Sequence, residues 1–445
     1  MWQFEASDLP APDANPCTEL SCTAAGPVHQ PAVSGKPCGE QRVCDGAGSC
    51  VACVPGQTRC VSGGPERCDS NNTWTTAQPC TAGAPVCSVG QCVRALQLAA
   101  GLEHTCALLS DGSVRCWGDN QHGALGAPSS AVVLKPEPIA LSAVVQIAAG
   151  EGMHTCARLQ SGSVACWGLN DRGQVGDASG SQVVRTPLIV AGLGPAVDLD
   201  VGAAHSCAVQ QDGAVMCWGG SERGQLGDGT RTDRAVPVRV AGLPPAARVV
   251  LGVEHSCALL RDRTVRCWGS NTWGEAGLRE HGTYSIGGGK LEIGTEALQP
   301  VVVTALATAM GLCAGAGRSC AWLQDGTVRT WGSESFRAGA RAMQGLDGVL
   351  QVEAAGRHAC ALRADGTVRC WGNNESGQLG DGTRKDRSAA VAVSTLPAAS
   401  SVTVGPDHAC AVLLDGSAAC WGSNAGGKLG DGTREDRLQP VRVVW

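Results

Sequence analysis

The sequence is poor in aromatic residues and lysine, and it has no long apolar segment. It contains one Tyr, two Phe and five Lys among 445 residues, and no run of 18 or more apolar residues. The absence of such a run excludes a membrane-spanning helix. The first residues lack a basic stretch followed by an apolar one, so they do not form a secretory signal. We therefore expect either that a leader has been removed or that the chain starts late.

An excess of positive charge is also missing. The formal net charge is -6 and the sequence pI is about 5.9, so no global positive field would gather nucleic acid, and we expect no nucleic-acid partner. Apolar residues make up 43% of the chain and charged residues 17%, which excludes a disordered charged tail. The 62 Gly and 12 Trp indicate many turns and one repeated Trp.

Cysteine is abundant, with 25 residues in the chain. So many thiols at regular spacing favour disulfides and an oxidising compartment, which predicts an extracellular or cell-surface location. The number is odd, so at least one thiol lacks a partner within the chain. Neither the identity of that thiol nor a lipid anchor can be read from the sequence.

A composition shift near Arg94 divides the chain. Residues 17–92 hold eleven Cys among Pro, Gly, Ser, Asn and Thr, a segment that cannot bury much core and needs disulfides. Cys50 and Cys53 could form half of a zinc site, but a second such pair is missing, so we expect no metal. The predicted domains are a flexible segment at 1–16, a Cys-rich domain at 17–93 whose connectivity stays open, and a repeat domain at 94–445.

The repeat domain contains seven copies of one pattern. The first Cys of each copy recurs every 50 or 51 residues, except that the fifth arrives 13 residues late and the sixth follows 40 residues later. Each copy has an apolar run, a turn that is Asp-Gly in most copies and a second apolar run, which is typical of a β-hairpin. Seven hairpin units at this period predict an all-β fold, either a β-propeller or a β-solenoid.

Hairpin geometry also predicts the disulfides of the repeats. If residues 110–112 form a three-residue loop with Gly112 left-handed, then Cys106 lies opposite Cys116. In the fifth copy Thr330 replaces the second Cys, and Cys313 on the preceding strand is expected to bridge Cys320. The predicted pairs are Cys106 with Cys116, Cys156 with Cys166, Cys207 with Cys217, Cys257 with Cys267, Cys313 with Cys320, Cys360 with Cys370, and Cys410 with Cys420.

The recurring motifs G-x-x-H-[ST]-C-A-L, D-G-x-V, W-G-x-N-x-x-G-Q-L-G-D-G-T and P-V-x-V carry a family resemblance. The chain resembles the regulator of chromosome condensation repeat family over about 350 residues, in an exported bacterial form with a Cys-rich N-terminal segment. The resemblance implies a seven-bladed β-propeller of four-stranded blades, here preceded by the small disulfide-rich domain. The last copy ends in residues 440–445 with no hairpin to join, and we expect this strand to complete the first blade.

Residues that recur once per copy are expected to be structural. Six His lie two residues before the first Cys, with Arg318 in that place in the fifth copy, and ligands spread around a ring cannot converge on one metal ion. The Trp of each W-G pair is expected to pack between blades rather than to form a chromophore cluster like that of the plant ultraviolet receptor. Asp-Gly-Thr-Arg segments could bind calcium, but they lack the spacing of an EF-hand loop, so turn chemistry is favoured.

Function is expected where the copies differ. The segment 273–299 is the longest departure from the repeat, and we predict that Trp273, His281, Tyr284 and Lys290 form a binding site there. The alternative is a drifted repeat with a surface loop of no function.

Three functions follow from the sequence and the resemblance. The leading one is a monomeric exported scaffold that binds a protein or extracellular polymer, needs no cofactor and is not an enzyme. The resemblance also implies guanine-nucleotide exchange on a small GTPase, or inhibition of an enzyme by loops on one face, as in a secreted β-lactamase inhibitor protein. The acidic charge and the predicted disulfides disfavour the exchange reaction in a cytosol or nucleus.

Overall fold

The chain divides into two units, Met1–Val93 and Arg94–Trp445. The structure, a computed structural model, describes residues 91–278, 282–286, 289–293, 296–304, 306, 308–332 and 340–445. In the first unit it also describes residues 18–23, 26–32, 34, 36–39, 42–44, 50–55, 57–61, 64–75, 80 and 86–88. The flexible segment expected at 1–16 lies outside the described residues. No helix among the described residues is long and apolar enough to cross a membrane.

Short antiparallel strands make up the first unit. Disulfides join Cys53 to Cys68 and Cys80 to Cys92, and the Arg59 guanidinium lies 4.2 Å from the centre of the Trp74 ring. The strands are Thr18–Thr23 with Gly26–Pro31; Pro37–Gly39, Arg42–Cys44 and Cys50–Val51; Thr58–Val61, Gly64–Cys68 and Trp74–Thr75; and Val86–Ser88 with Gln91–Val93.

The second unit is a seven-bladed β-propeller. Each blade is a four-stranded antiparallel sheet in sequence order, and the inner strands contact one another in ring order, with that of blade 7 against that of blade 1. Inner, second, third and outer strands are Ala95–Ala100, His104–Leu109, Val114–Gly118 and Val133–Pro138 in blade 1; Val144–Ala149, His154–Leu159, Val164–Leu169 and Val183–Ile189 in blade 2; Ala196–Val201, His205–Gln210, Val215–Gly219 and Arg234–Arg239 in blade 3; Ala246–Leu251, His255–Leu260, Val265–Ser270 and Glu296–Val302 in blade 4; Ala309–Gly315, Arg318–Leu323, Val328–Gly332 and Arg341–Ala342 in blade 5; Val349–Ala355, His358–Arg363, Val368–Gly372 and Arg387–Ala392 in blade 6; and Ala399–Val404, His408–Leu413, Ala418–Gly422 and Arg437–Arg442 in blade 7.

The hairpin register of blade 1 is the predicted one. Cys106 lies opposite Cys116, and the loop between their strands places Gly112 at a φ of 77°, in the left-handed region that glycine adopts without strain. Disulfides join the second and third strands of six blades with Cα atoms 4.0 or 4.1 Å apart. In blade 5, where Thr330 faces Cys320, the disulfide instead joins Cys313 on the inner strand to Cys320.

The expected role of the terminal strand is wrong. Residues 437–442 pair with the third strand of blade 7, and blade 1 is completed by its own strand Val133–Pro138. The physical reason is that the loop after W-G returns the chain to the same sheet, so each P-V-x-V strand belongs to the hairpin before it. The end of the chain still reaches blade 1, because the Trp445 ring packs edge-on against Trp117 with centroids 6.0 Å apart.

Candidate functional site

The repeated His residues form a belt of hydrogen bonds between blades. Each of the six His opens the second strand of its blade and is buried, and five of them place Nε2 2.7 to 3.0 Å from a Thr or Ser hydroxyl on the next blade. The pairs are His104 with Thr155, His154 with Ser206, His205 with Ser256, His255 with Ser319, and His408 with Thr105. The structural role expected for these residues is therefore visible as contacts between neighbouring blades.

A loop carbonyl completes each joint of the belt. The hydroxyl of Thr155 donates to the Ala124 carbonyl of blade 1, and the indole Nε1 of Trp167 donates to the same oxygen. Since the hydroxyl uses its proton there, it accepts from His104, which must carry its proton on Nε2. The same carbonyl position receives the Trp Nε1 of the next blade at four other joints, namely Trp117 to Lys428, Trp268 to Gln225, Trp331 to Glu275, and Trp421 to Gln378.

Burial holds the belt in its neutral form. It lowers the pKa of His104, His154, His205 and His358 to about 3 and that of His255 to about 4, because an imidazolium would lose its hydration there. Among the residues that the structure describes, no group of three or more His, Cys, Asp or Glu side chains is placed to hold a metal ion.

The Asp-Gly-Thr-Arg segments are turns whose carboxylates are already bound. Asp228 accepts hydrogen bonds from the backbone and hydroxyl of Thr230, and its other oxygen lies 3.0 Å from a guanidinium nitrogen of Arg234. Asp381 and Asp431 repeat this arrangement with the Thr and Arg of their own segments. Such saturation favours a structural role over calcium binding.

The predicted binding residues fall into two elements. Trp273 lies in the loop between the third and outer strands of blade 4, with 44% of its surface exposed. Tyr284 and Lys290 lie on the facing strands Gly282–Ile286 and Gly289–Ile293 of an inserted hairpin, and their side chains lie outside the described residues, as does all of His281. The segment 273–299 is therefore not one insertion, because it also supplies Glu275 to the belt and residues 296–299 to the outer strand.

The belt is interrupted beside blade 6. Arg318 takes the place of the His in blade 5, and Ala359 stands where a hydroxyl would meet it. At the next joint His358 faces Ala409, and neither ring nitrogen of His358 has a hydrogen-bond partner among the described residues. Two consecutive joints thus lack the bond that the other five make.

The joint between blades 7 and 1 is reinforced instead. Lys428 stands at the position that Gln174, Gln225 and Gln378 hold in three other blades, and its side chain is fully buried. Its Nζ lies 3.0 Å from the Glu103 carboxylate, 2.8 Å from that of Asp407 and 2.9 Å from the Leu102 carbonyl. Although burial acts to raise the pKa of Asp407, the imidazole of His408, 3.8 Å away, and the charge of Lys428 hold it well below its usual value.

The loops of blades 4, 5 and 6, with Arg223 from blade 3, line a cleft of about 600 Å³ on the face of the ring that carries the W-G loops. Trp273, Arg318 and Arg357 line it, together with Arg223 and Glu254. Burial lowers the pKa of Arg318, the carboxyl of Glu151 opposes this, and the guanidinium of Arg357 lowers it further. Two guanidinium groups of like charge therefore line the same cleft.

Acidic side chains line the central channel, where the inner strands enclose a cavity of about 150 Å³. Burial raises the pKa of Asp200 to about 8 and those of Glu353 and Glu151 to about 7. Asp200 accepts a hydrogen bond of 2.7 Å from the Leu251 backbone, which ties it to blade 4. No sequence pattern singles out these three residues, because only the closed ring brings them to the channel.

Comparison with known families gives a consistent result. Two models of the regulator of chromosome condensation (RCC1) repeat match the chain, and together they span more than half of its 445 residues. One matches residues 96–124, 144–174, 196–225, 247–274, 349–378 and 399–427, and the other matches 111–158, 161–209, 212–259 and 365–412. These ranges leave out residues 275–348, which include all of blade 5.

Two curated proteins are similar over a third of this chain. The ultraviolet-B receptor UVR8 of Arabidopsis thaliana is 30% identical over 145 residues, which are 33% of this chain and 22% of that protein. The human E3 ubiquitin-protein ligase HERC2 is 30% identical over 152 residues, which are 33% of this chain and 3% of that protein. The match thus spans less than a quarter of either relative.

Solved structures share the fold. Human WBSCR16 has a TM-score of 0.65 at 22% identity, over 75% of this chain and 95% of that chain. Prp20p of Saccharomyces cerevisiae, whose structure was reported with its binding to Gsp1p and histones, has a TM-score of 0.64 at 20% identity. The match covers 79% of this chain and 88% of that chain.

Proposed function

The chain belongs to the regulator of chromosome condensation (RCC1) repeat family, and on this premise we propose that it is an exported, monomeric scaffold that binds a protein or extracellular polymer and catalyses no reaction. One observation carries the proposal. All seven blades contain a disulfide, and blade 5 keeps one by using Cys313 after Thr330 has replaced the usual second Cys. Disulfides persist in oxidising compartments, which supports an extracellular or cell-surface location.

The repeated polar groups support binding rather than catalysis. The His, Thr, Ser and Trp of the belt are buried and mostly bonded to a neighbouring blade, so their chemistry is committed to joining blades. The departures from the repeat gather in the loops of blades 4 to 6, where the exposed Trp273 lies. A symmetric scaffold recognises a partner most directly through such unequal loops.

The location is tested by mapping disulfides in protein recovered from native cells. We expect the extracellular or surface fraction to hold the chain, and peptides cut without reduction to show the seven propeller bridges. Free Cys106 and Cys116 in freshly recovered protein, or a cytosolic chain, would overturn the exported role.

The activity is tested by capture and by a direct assay of the alternatives. Cross-linking with the intact oxidised chain should recover a partner from the extracellular fraction, and release of labelled GDP from a small GTPase should stay at the rate seen without the chain. Accelerated GDP release would favour nucleotide exchange. Loss of the captured partner's own enzymatic activity would favour the inhibitor function.

A further inference from the structure

The cleft of blades 4 to 6 contains two guanidinium groups without an acidic partner. No carboxylate oxygen of a described residue lies within 4 Å of a nitrogen of Arg318 or Arg357, and the buried Nε of Arg318 has no hydrogen-bond partner there. The Glu151 carboxyl lies near enough to oppose the pKa shift of Arg318 but beyond ion-pair distance. Two like charges that line one cleft favour the binding of an anion there.

The acidic residues of the same cleft are already engaged. Glu254 lies 3.8 Å from Arg223, and both carboxylate oxygens of Glu275 accept hydrogen bonds, one from the Ser270 hydroxyl and one from the Trp273 backbone. His255 is buried and neutral. Among the residues that the structure describes, the charge left without a partner in the cleft is therefore positive, in a chain whose net charge is -6.

Other arginines on this face have acidic partners. Arg172, at the position of Trp273 two blades earlier, lies 2.6 Å from Glu222 and 3.1 Å from Asp233. Arg384 lies 3.2 Å from Asp436. The pair Arg318 and Arg357 is thus unlike the ion pairs formed elsewhere on the ring.

Trp273 forms an aromatic wall of the same cleft. A Cβ atom at Gly317 would lie 2.6 Å from Cδ1 of the indole, so only glycine lets blade 5 approach the ring this closely. Gly317 also has a φ of 63°, which a larger side chain adopts with strain. The indole is held against the loop that leads directly into Arg318, with 44% of the Trp273 surface open to solvent.

We propose that this cleft binds a carboxylate with an aromatic or planar group beside it, supplied by an acidic segment of a protein partner. Guanidinium groups match the two oxygens of a carboxylate, and an exposed indole stacks on an aromatic or amide plane. A volume of about 600 Å³ is suited to a short segment rather than to a single ion. The identity of the partner as a protein rests on the proposed function, whereas the anion site does not.

The test uses the intact oxidised chain and two matched small probes. 3-Phenylpropionate carries the carboxylate and the ring, and 3-phenylpropionamide lacks only the charge. Calorimetry or ligand-observed NMR should show saturable binding of the acid, at least tenfold weaker binding of the amide, and at least a tenfold loss for Arg357→Gln. Trp273→Ala should weaken both probes.

Control variants separate the site from the fold. Arg172→Gln removes an exposed arginine of the same face and should leave binding unchanged. Arg318→His restores the residue of the other blades, so it should lower affinity while thermal unfolding stays close to wild type. Equal binding of acid and amide, no binding at millimolar concentrations, or tighter binding of inorganic phosphate than of the acid would overturn the carboxylate assignment.

Capture experiments distinguish this inference from the proposed function. If wild type and Arg357→Gln capture the same partner equally, the scaffold function stands and the cleft assignment fails. If the acid binds through Arg357 but the captured partner is a polysaccharide, the anion site stands and its assignment to a protein segment fails.

Discussion

Blade 7 joins its two neighbours in different ways, and the difference shows what a joint needs. Toward blade 1 it supplies His408 to Thr105 and the buried ammonium of Lys428 to the Glu103 carboxylate and the Leu102 carbonyl, while Asp407 of blade 7 itself also contacts that ammonium. Toward blade 6 it presents Ala409 to an unbonded His358. The chain itself connects blades 6 and 7, whereas no peptide bond connects blades 7 and 1. Where covalent continuity is missing, side chains supply more of the cohesion.

The largest expected effect comes from acid, which acts on every joint that contains a His. Because burial lowers the pKa of His408 and lowers that of the other five His to about 3 or 4, the unfolded chain binds more protons below pH 6.5. The free energy of unfolding should therefore fall as pH drops from about 6.5, by about 1.4 kcal/mol per pH unit for each extra proton bound. The raised pKa values of Asp200, Glu353 and Glu151 act in the opposite sense, since that contribution is lost as pH rises through about 7 to 8.

Denaturant titrations from pH 4 to 9 should thus show maximum stability near pH 6.5. His358→Gln should lower the slope of the free energy of unfolding against pH below pH 6.5 by about one proton. Asp200→Asn should reduce the fall in the free energy of unfolding between pH 6.5 and pH 8. A profile without a fall below pH 6 would contradict the buried, neutral belt.

Lys428→Met should have the next largest effect. It leaves Glu103 and Asp407 without their shared cation, and because both carboxylates are about a third exposed we expect a loss of about 2 kcal/mol, below the range for fully buried pairs. Gln378→Met removes the equivalent side chain between blades 6 and 7 and should cost less than about 1 kcal/mol. Equal losses in urea titrations would show that the ammonium adds nothing to closure.

Adding a hydroxyl at the joint of blades 6 and 7, or removing one at the joint of blades 7 and 1, should change the free energy of unfolding by about 1 kcal/mol, in opposite directions. Ala409→Ser places a hydroxyl between His358 and the Gln378 carbonyl, as Ser206 lies between His154 and Gln174, and should stabilise the chain. Thr105→Ala should destabilise it by removing the partner of His408. The gain from Ala409→Ser should shrink in a His358→Leu background, and an unchanged gain would exclude the imidazole as its source.

The smallest effect is expected at the end of the chain. Trp445→Ala removes the edge-on contact with Trp117 and should cost about 1 kcal/mol. Trp445→Phe keeps an aromatic edge there and should cost less. Equal melting temperatures for the two variants would show that an aromatic edge at this position adds nothing to stability.

Local patterns made much of this propeller predictable. Cys106 lies opposite Cys116 because side chains alternate along a strand and a glycine turn joins the two strands, so the spacing of the two Cys was enough to predict the pair. The role of Glu275 was missed because its contribution is a backbone carbonyl, which no side-chain pattern reveals. The burial of Lys428 and the approach of Arg318 to Arg357 join residues that are distant in sequence, and only the closed ring brings them together. The terminal strand was misassigned because the motif order fits either blade.

The sharing of one carbonyl between a Trp and a hydroxyl has a consequence for the order of the blades. The indole Nε1 of Trp117 donates to the Lys428 carbonyl as that of Trp167 donates to the Ala124 carbonyl, so in this bond the first blade meets the last as the second blade meets the first. A circular permutation that links residue 445 to residue 94 and opens the chain between blades 6 and 7 would keep every one of these bonds. In the permuted chain a peptide linkage would connect blades 7 and 1, where the Lys428 cluster lies. Blades 6 and 7, where His358 has no hydroxyl partner, would no longer be connected by the chain.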